Sequence, residues 1–503
     1  MESSGVRLLM ISSEVRLFAQ TGGLGDAVLG LSKALAELGV EVALVTPRYR
    51  MTKIPMNGSW WPDPLSLSLY HRSNNQEVGV FEAPFLSSLS KGSLRIYLLD
   101  IPHLFDREGI YGDLHGNYED NDVRFATLSQ GALAVGERIW NPSLLKADQP
   151  IFIHAHDWHA APALLYARLD DNHSKWQQTP LCFTIHNLAF QGIFEQHQYQ
   201  NLNLPMAALK EGTVLYHEKI NLMKGAILLA NAVTTVSTTY AKEIMHPQQG
   251  CGLDPLLCEY RSKITGIVNG IDTASFNPEI DTSLVVPYNS SSASKAKQIC
   301  KASFYQENSF EGEPEEIPLF VFIARIDWQK GIDLLLSMVP SLLAFPIRLF
   351  ITGSGDPHLE NLVLSRVKEF PGKVVSQIPF NETLARRALS AADFIILPSR
   401  YEPCGLTQLY AMRYGAIPLV TPTGGLYDTV DPIDIQREQG TGIIFSNCDT
   451  EAIQRGCMQA IDLFHSKKLM GTIRKRIMQR DSSWEKPARE YIALYKSLLK
   501  SHA

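Results

Sequence analysis

Two cations five residues apart, Arg325 and Lys330 in Arg325-Ile-Asp-Trp-Gln-Lys-Gly331, stand between an apolar run at 319–324 and a helical pattern opening at Gly331. Fixed positive charges beside a helix amino end suit an anionic leaving group such as a pyrophosphate. As a bond to phosphate breaks, negative charge grows on the leaving oxygens, and cations placed there act where binding raises the rate. Solvated surface charge is the rival reading of the same string. Farther on lies Pro398-Ser-Arg-Tyr-Glu-Pro-Cys-Gly-Leu-Thr-Gln-Leu-Tyr-Ala-Met412. Pro403 fits the first position of a helix, which puts Glu402 at the cap, where the helix dipole favours a charged carboxylate. There it binds sugar hydroxyls or shields positive charge developing on a sugar. An ordinary capping role fits equally.

Two glycine-rich turns are candidate anion nests. In Gln20-Thr-Gly-Gly-Leu-Gly-Asp26, Gly22 and Gly23 let backbone N–H groups approach an anion, and the following helix adds partial positive charge. The dinucleotide pattern G-x-G-x-x-G fails because Val28 stands where its last glycine is required. A simple tight turn explains the same glycines. Thr423, Gly424, Gly425 and Leu426 open a second such turn at a strand-to-helix junction.

Histidines follow two other apolar runs. In His154-Ala-His-Asp-Trp-His159, strand alternation sends His154 and His156 to one face, while Asp157 and His159 fall in the turn beyond. That spacing does not ensure the convergence a zinc ion needs. Asp157 accepting sugar hydroxyls at a polar edge is the better reading. His186, in Thr184-Ile-His-Asn-Leu-Ala-Phe-Gln-Gly192, leaves a strand where it could donate to a hydroxyl or be satisfied by loop carbonyls. Asp120-Asn-Asp122 matches a metal-binding D-x-D, but both acids directly precede a helical pattern from Val123, where acids stabilise the amino end. They read as structural, and no metal is expected.

The elements that must position these residues alternate. Strands are expected at 6–11, 40–45, 94–99, 151–155, 181–185 and 232–236, with helices at 26–38, 123–140 and 160–169. A second series begins with strands at 263–268 and 319–324 and continues at 348–351, 374–377 and 394–397. Such alternation means parallel sheets covered by helices, and two series mean two doubly wound domains. Ligands of such sheets sit beyond the carboxyl ends of strands, so the natural site is the cleft between the domains. Residues 287–296, rich in Ser, read as a surface excursion, and 311–316 as an acidic loop.

With 503 residues, 45% of them hydrophobic, the chain holds enough apolar material for two or three cores. A net charge of −6 without a basic stripe argues against a nucleic-acid partner. The seven Cys, with no C-x-x-C, read as reduced thiols, and neither a signal peptide nor a membrane span is legible. A soluble cytoplasmic protein with no membrane partner is expected.

In order, T-G-G-L-G-D, H-A-H-D-W-H, T-I-H-N-L-A-F-Q-G, V-N-G-I-D at Val268–Asp272, R-x-x-x-Q-K-G and P-S-R-Y-E-P-C-G-L-T-Q-L-Y form one set. That set resembles the bacterial glycogen synthase and plant starch synthase family, over nearly the whole chain. The resemblance implies an α/β GT-B fold, two Rossmann-like domains facing a cleft, with a helix at 483–503 returning to the first. It places the first, acceptor-side domain at 1–262 and the nucleotide-sugar domain at 263–482. It implies retaining transfer of glucose from ADP-glucose to the non-reducing 4-hydroxyl of an α-1,4-glucan, with no cofactor or metal and with UDP-glucose as the alternative donor. By position, Arg325 and Lys330 hold the diphosphate, Glu402 faces the reacting sugar and His186 sits against the glucose. Gln20, Gly22, Gly23, Asp26 and Asn269 lie on the donor side, Thr423, Gly424, Gly425 and Leu426 supply backbone donors, and Asp157 and Tyr111 lie on the acceptor side.

The sequence departs from the family's pattern at Gln20, where a Lys is usual. Losing that charge-assisted hydrogen bond costs about 1–3 kcal/mol, or about tenfold or more in donor affinity or rate. Thr421-Pro422 replaces a common Arg pair, and Tyr410 stands where related transferases carry a second Glu, as is usual for glucan synthases. A glucan-binding or priming paralogue with weak donor use is the alternative function. A sucrose- or trehalose-type transferase fits the Cys404 and Gln408 string poorly.

Overall fold

The computed structural model describes residues 5–67, 75–84, 92–114, 116–141, 150–209 and 213–502. They form two units, Met1–Gly270 with Trp484–Ala503, and Ile271–Ser483.

In the first unit the strand Arg7–Ile11 lies at the centre of a sheet, parallel to Glu41–Pro47 on one side and Ile151–His156 on the other. Leu181–Ile185, Ala232–Thr235 and Ile264–Gly266 extend the parallel array beyond Ile151–His156. Ser93–Asp100 extends it beyond Glu41–Pro47, and Gln76–Pro84 then adds antiparallel. The first and fourth parallel strands in chain order are therefore neighbours, and the chain winds outward from them both ways. That is the switch point at which doubly wound sheets leave a crevice. Leu8 to Ile11 are all fully buried, as a strand covered on both faces must be. The helices Asn121–Trp140 and Asp157–Leu169 cover one face. Gly23–Glu37 covers the other together with Glu485–His502, whose Tyr491 and Tyr495 join that core. The fit is close: a Cβ on Gly30 would fall 2.0 Å from the Trp484 indole nitrogen.

The second unit holds one fully parallel sheet in the order Val374–Gln377, Arg348–Thr352, Leu319–Ile323, Phe394–Leu397, Ile417–Val420, Ile443–Ile444. Here too the first and fourth strands are neighbours, with Phe320 beside Phe394. Among the described residues no helix is long and apolar enough to cross a membrane.

Two sequence expectations are corrected. The run at 263–268 was expected to open the second domain, but its strand, Ile264–Gly266, pairs with Val233–Thr235 and ends the first sheet. The unit boundary consequently falls after Gly270, not after residue 262. Residues 287–296 are also less superficial than their serines suggest. Tyr288 is buried and donates its hydroxyl to the Tyr414 carbonyl at 2.8 Å, and Ala293 starts the helix Ala293–Glu307. One turn on, Lys297 Nζ donates to the carbonyls of Leu389, Ser390 and Tyr414, anchoring that helix.

Candidate active site

In the second unit the loop after Leu319–Ile323 carries Arg325 and Lys330, and the loop after Phe394–Leu397 carries Glu402. Because those strands are adjacent and parallel, their following loops meet. Lys330 Nζ lies 2.5 Å from Glu402 Oε2, and Ser399 Oγ donates to the same oxygen at 3.1 Å. Asp327 caps the short turn by accepting from the Lys330 backbone N–H at 3.0 Å, which fixes where the lysine leaves the chain. Gly331, at φ +69°, turns away beneath Pro398; a Cβ there would sit 2.0 Å from the Pro398 carbonyl oxygen. Arg325 is more exposed, donating to Gln329 Oε1 at 2.9 Å and pairing with Asp327 at 3.1 Å.

Glu402 is not a helix cap. The helix begins at Thr407, after Gly405 at φ +66° has broken the turn that Pro403 would have started. What holds the carboxylate is side-chain contact with Lys330 and Ser399, not a dipole. The turn at Thr423–Leu426 serves it from behind. Gly425 N–H donates to the Glu402 carbonyl at 3.0 Å, and Leu426 N–H to Thr423 at 3.1 Å, so these two amides are not the anion donors the sequence led us to expect. Their glycines answer to close approach: a Cβ on Gly424 would lie 2.0 Å from the Glu402 carbonyl oxygen, and one on Gly425 1.8 Å from that of Cys404.

In the first unit the loops after Arg7–Ile11 and Ile151–His156 flank the switch point. The turn expected to cradle an anion holds an internal one. Glu14, 3% exposed, accepts from the N–H groups of Thr21 and Gly22 at 2.8 and 3.2 Å, and from Thr21 Oγ1 at 3.1 Å. Tyr111 donates its hydroxyl to the same carboxylate at 2.6 Å, with Ser13 Oγ 2.9 Å away, while its ring stacks on His159. Burial, then the Glu14 charge, push the Tyr111 phenol well above its ordinary pKa, so it stays a donor. Gly22 faces open space, and Gly23 begins the helix Gly23–Glu37. Asp26 takes Arg16 Nη1 at 3.0 Å and Gln20 Nε2 at 3.4 Å.

Asp157 starts its helix at φ +56° and reaches across to the next strand's loop, accepting from the backbone N–H of His186 at 2.7 Å and of Asn187 at 3.4 Å. One carboxylate oxygen is thus a clamp on the His186 loop. The His186 imidazole meets His156, Nε2 to Nδ1, at 2.9 Å. His154 gives both ring nitrogens to hydroxyls, Tyr495 at 2.8 Å and Thr184 at 2.6 Å. Burial pulls His154 and His186 down to about 3, so both are neutral at ordinary pH. Asn269 lies beyond the edge strand Ile264–Gly266, three intervening strands from Arg7–Ile11, and is buried. The D-x-D acids are taken up locally: Asp120 by a two-pronged bond from Arg107, Asp122 by Val123 N–H, Gln198 and Asn201.

Sequence reasoning missed Glu14, Arg16, Ser399 and the contact role of His156. Glu14 and Arg16 stand a few residues before the glycines, and an acid preceding a glycine nest was the available signal. His156 carried none, because its partner His186 is 30 residues away, and Ser399, three residues before Glu402, carried none because nothing in the string tells which way its hydroxyl turns.

A model of the starch synthase catalytic domain matches residues 7–259, and one of group 1 glycosyl transferases matches 317–462. The glycogen synthase of Myxococcus xanthus is 38% identical over 497 residues, covering 98% of this chain and 100% of the relative. That of Francisella tularensis subsp. novicida is 32% identical over 505 residues, covering 99% and 100%. The catalytic domain of starch synthase IV from Arabidopsis thaliana, solved bound to ADP and acarbose, gives a TM-score of 0.88 at 28% identity and covers 98% of this chain and 99% of that one. Sucrose-phosphate synthase from Thermosynechococcus elongatus, with a TM-score of 0.59 at 18% identity over 99% of both chains, shares the fold. Relatives that align over 98% of the chain or more extend the likeness across both units, and the chain belongs to the glycogen synthase and starch synthase family, glucan-building glycosyltransferases of the GT-B fold.

Proposed function

We propose that the chain lengthens an α-1,4-glucan, moving glucose from ADP-glucose to the non-reducing 4-hydroxyl with retention at the anomeric carbon. The observation that carries this reading is Lys330 against Glu402, a cation and a carboxylate brought together at the switch point of the second sheet. On departure the nucleotide diphosphate gathers negative charge, which Arg325 and Lys330 stabilise, while the anomeric carbon becomes electron-poor, which Glu402 shields. The Thr423–Leu426 turn acts by holding the Glu402 backbone. In the first unit His186 contacts the glucose, Asp157 acts through the His186 loop, and Tyr111 acts through Glu14. Gln20, Gly22, Gly23, Asp26 and Asn269 serve the donor side, where Arg16 is taken up by Asp26.

Incorporation of labelled glucose from ADP-glucose into glycogen tests the reading. The parent protein should incorporate label, and Lys330→Ala and Glu402→Ala should each lose at least about a hundredfold in kcat. UDP-glucose in the same assay should be used less well. No incorporation above a boiled control with either donor would turn the reading to a glucan-binding protein.

A further inference from the structure

The three histidines beneath the first unit's carboxyl edge are not equivalent. His154 and His156 project from one face of Ile151–His156 and stack with ring centroids 4.2 Å apart. Both nitrogens of His154 meet hydroxyls, and a hydroxyl donates or accepts as required, so that ring's tautomer is left open. The His156 ring has no such latitude. Its Nδ1 faces His186 Nε2 at 2.9 Å, while its Nε2 is buried with no hydrogen-bond partner in the protein.

Two neutral imidazoles joined by one hydrogen bond need one donor and one acceptor. Were His186 the donor, His156 would accept at Nδ1 and carry its own proton on Nε2, as a buried N–H with nothing to receive it. Were His156 the donor, Nε2 would be a bare lone pair. Orphaned buried N–H groups are the rarer of the two. A doubly protonated His156 would orphan the same N–H and bury a charge as well.

We propose that His156 is a positioning residue that donates from Nδ1 and thereby locks His186 in the tautomer with its proton on Nδ1. His186, a residue only partly buried, then offers a fixed N–H donor, suited to an oxygen of a bound glucosyl group, in place of a lone pair. Asp157 fixes the backbone of His186 and His156 fixes its ring, two anchors from consecutive residues on one strand end. The use of that donor on sugar rests on the proposed function; the tautomer does not.

The experiment uses the full chain labelled with 15N-histidine, read by two-bond 1H–15N spectra at pH 7, with His186→Gln identifying the His186 signals. Expected are a protonated Nδ1 and a bare Nε2 on His186. In His156→Leu the donor is gone, so His186 should become a mixture of tautomers and kcat should fall about tenfold, with KM for glucan little changed. In His156→Asn the carboxamide nitrogen stands near the lost Nδ1, so the tautomer should be kept and kcat should stay within about threefold of the parent, a conservative rescue of the bond. A protonated Nε2 on His186 in the parent overturns the proposal, as does an unchanged tautomer in His156→Leu. A tautomer that shifts while kcat does not supports the lock and instead removes His186 from contact with the sugar.

Discussion

Asp157 carries its own pH signature. Burial raises its carboxyl from 3.8 to about 7, against the two backbone N–H bonds that lower it. Between those limits the folded chain holds a proton that the unfolded chain has released, so this group's contribution to stability is full below the lower limit and is lost as pH rises to about 7. His154 and His186, pulled down from 6.5 to about 3, act in reverse: theirs is present above 6.5 and lost as pH falls toward 3. Asp157→Asn removes the first effect and keeps the second. Its thermal midpoint relative to the parent should climb from pH 4 to 7 and then level off, the whole change amounting to at most about 4 kcal/mol. A difference independent of pH would show that the carboxyl titrates normally. Gln20→Lys should lower the KM for ADP-glucose about tenfold with kcat little changed, and an unaltered KM would take position 20 out of donor binding. That Asp157 follows a strand beside a polar edge could be read from its neighbours. Its grip on amides 29 and 30 residues away could not, since it depends on strand pairing and on a backbone turned to positive φ.

At the level of elements, two glycines decide where Glu402 stands. Gly425→Ala would drive a methyl group into the Cys404 carbonyl, and the Glu402–Cys404 segment must move to make room. The variant should lose about 1–3 kcal/mol of stability and at least tenfold in kcat, measured by denaturant titration and the incorporation assay; parent-like values in both would show that the turn has slack. Motif spacing made the strands and the loops after them legible, because buried parallel strands leave unbroken apolar runs of fixed length. It did not reveal that the helix after Glu402 starts at Thr407, since Pro403 offers a start signal that the positive φ of Gly405 overrides. Nor did it assign Ile264–Gly266 to a sheet, because so short a strand has no periodicity that names its partner.

On the scale of the whole molecule, the first unit is assembled from two separate stretches of chain. Trp484 seals against Gly30, and Tyr495 joins Phe152 and His154 beneath the sheet. Trp484→Ala should destabilise that unit by about 3–5 kcal/mol, seen as an earlier unfolding step, and a single unshifted transition would count against the packing described. The helical pattern of the returning segment was visible in its sequence; its target, the first unit, came from the family resemblance alone, for amphipathicity tells that a face is covered without telling by what. Because a ribosome delivers residues in order, the early sheet must wait, with the face bearing Val6, Leu8 and Met10 incompletely covered, while Ile271–Ser483 is threaded out. The later-made unit is a continuous stretch and can therefore finish before the earlier one. A nascent chain broken off at Ser483 would leave an apolar surface for chaperones and proteases to find, so arrival of the last helix certifies that translation has passed beyond that point.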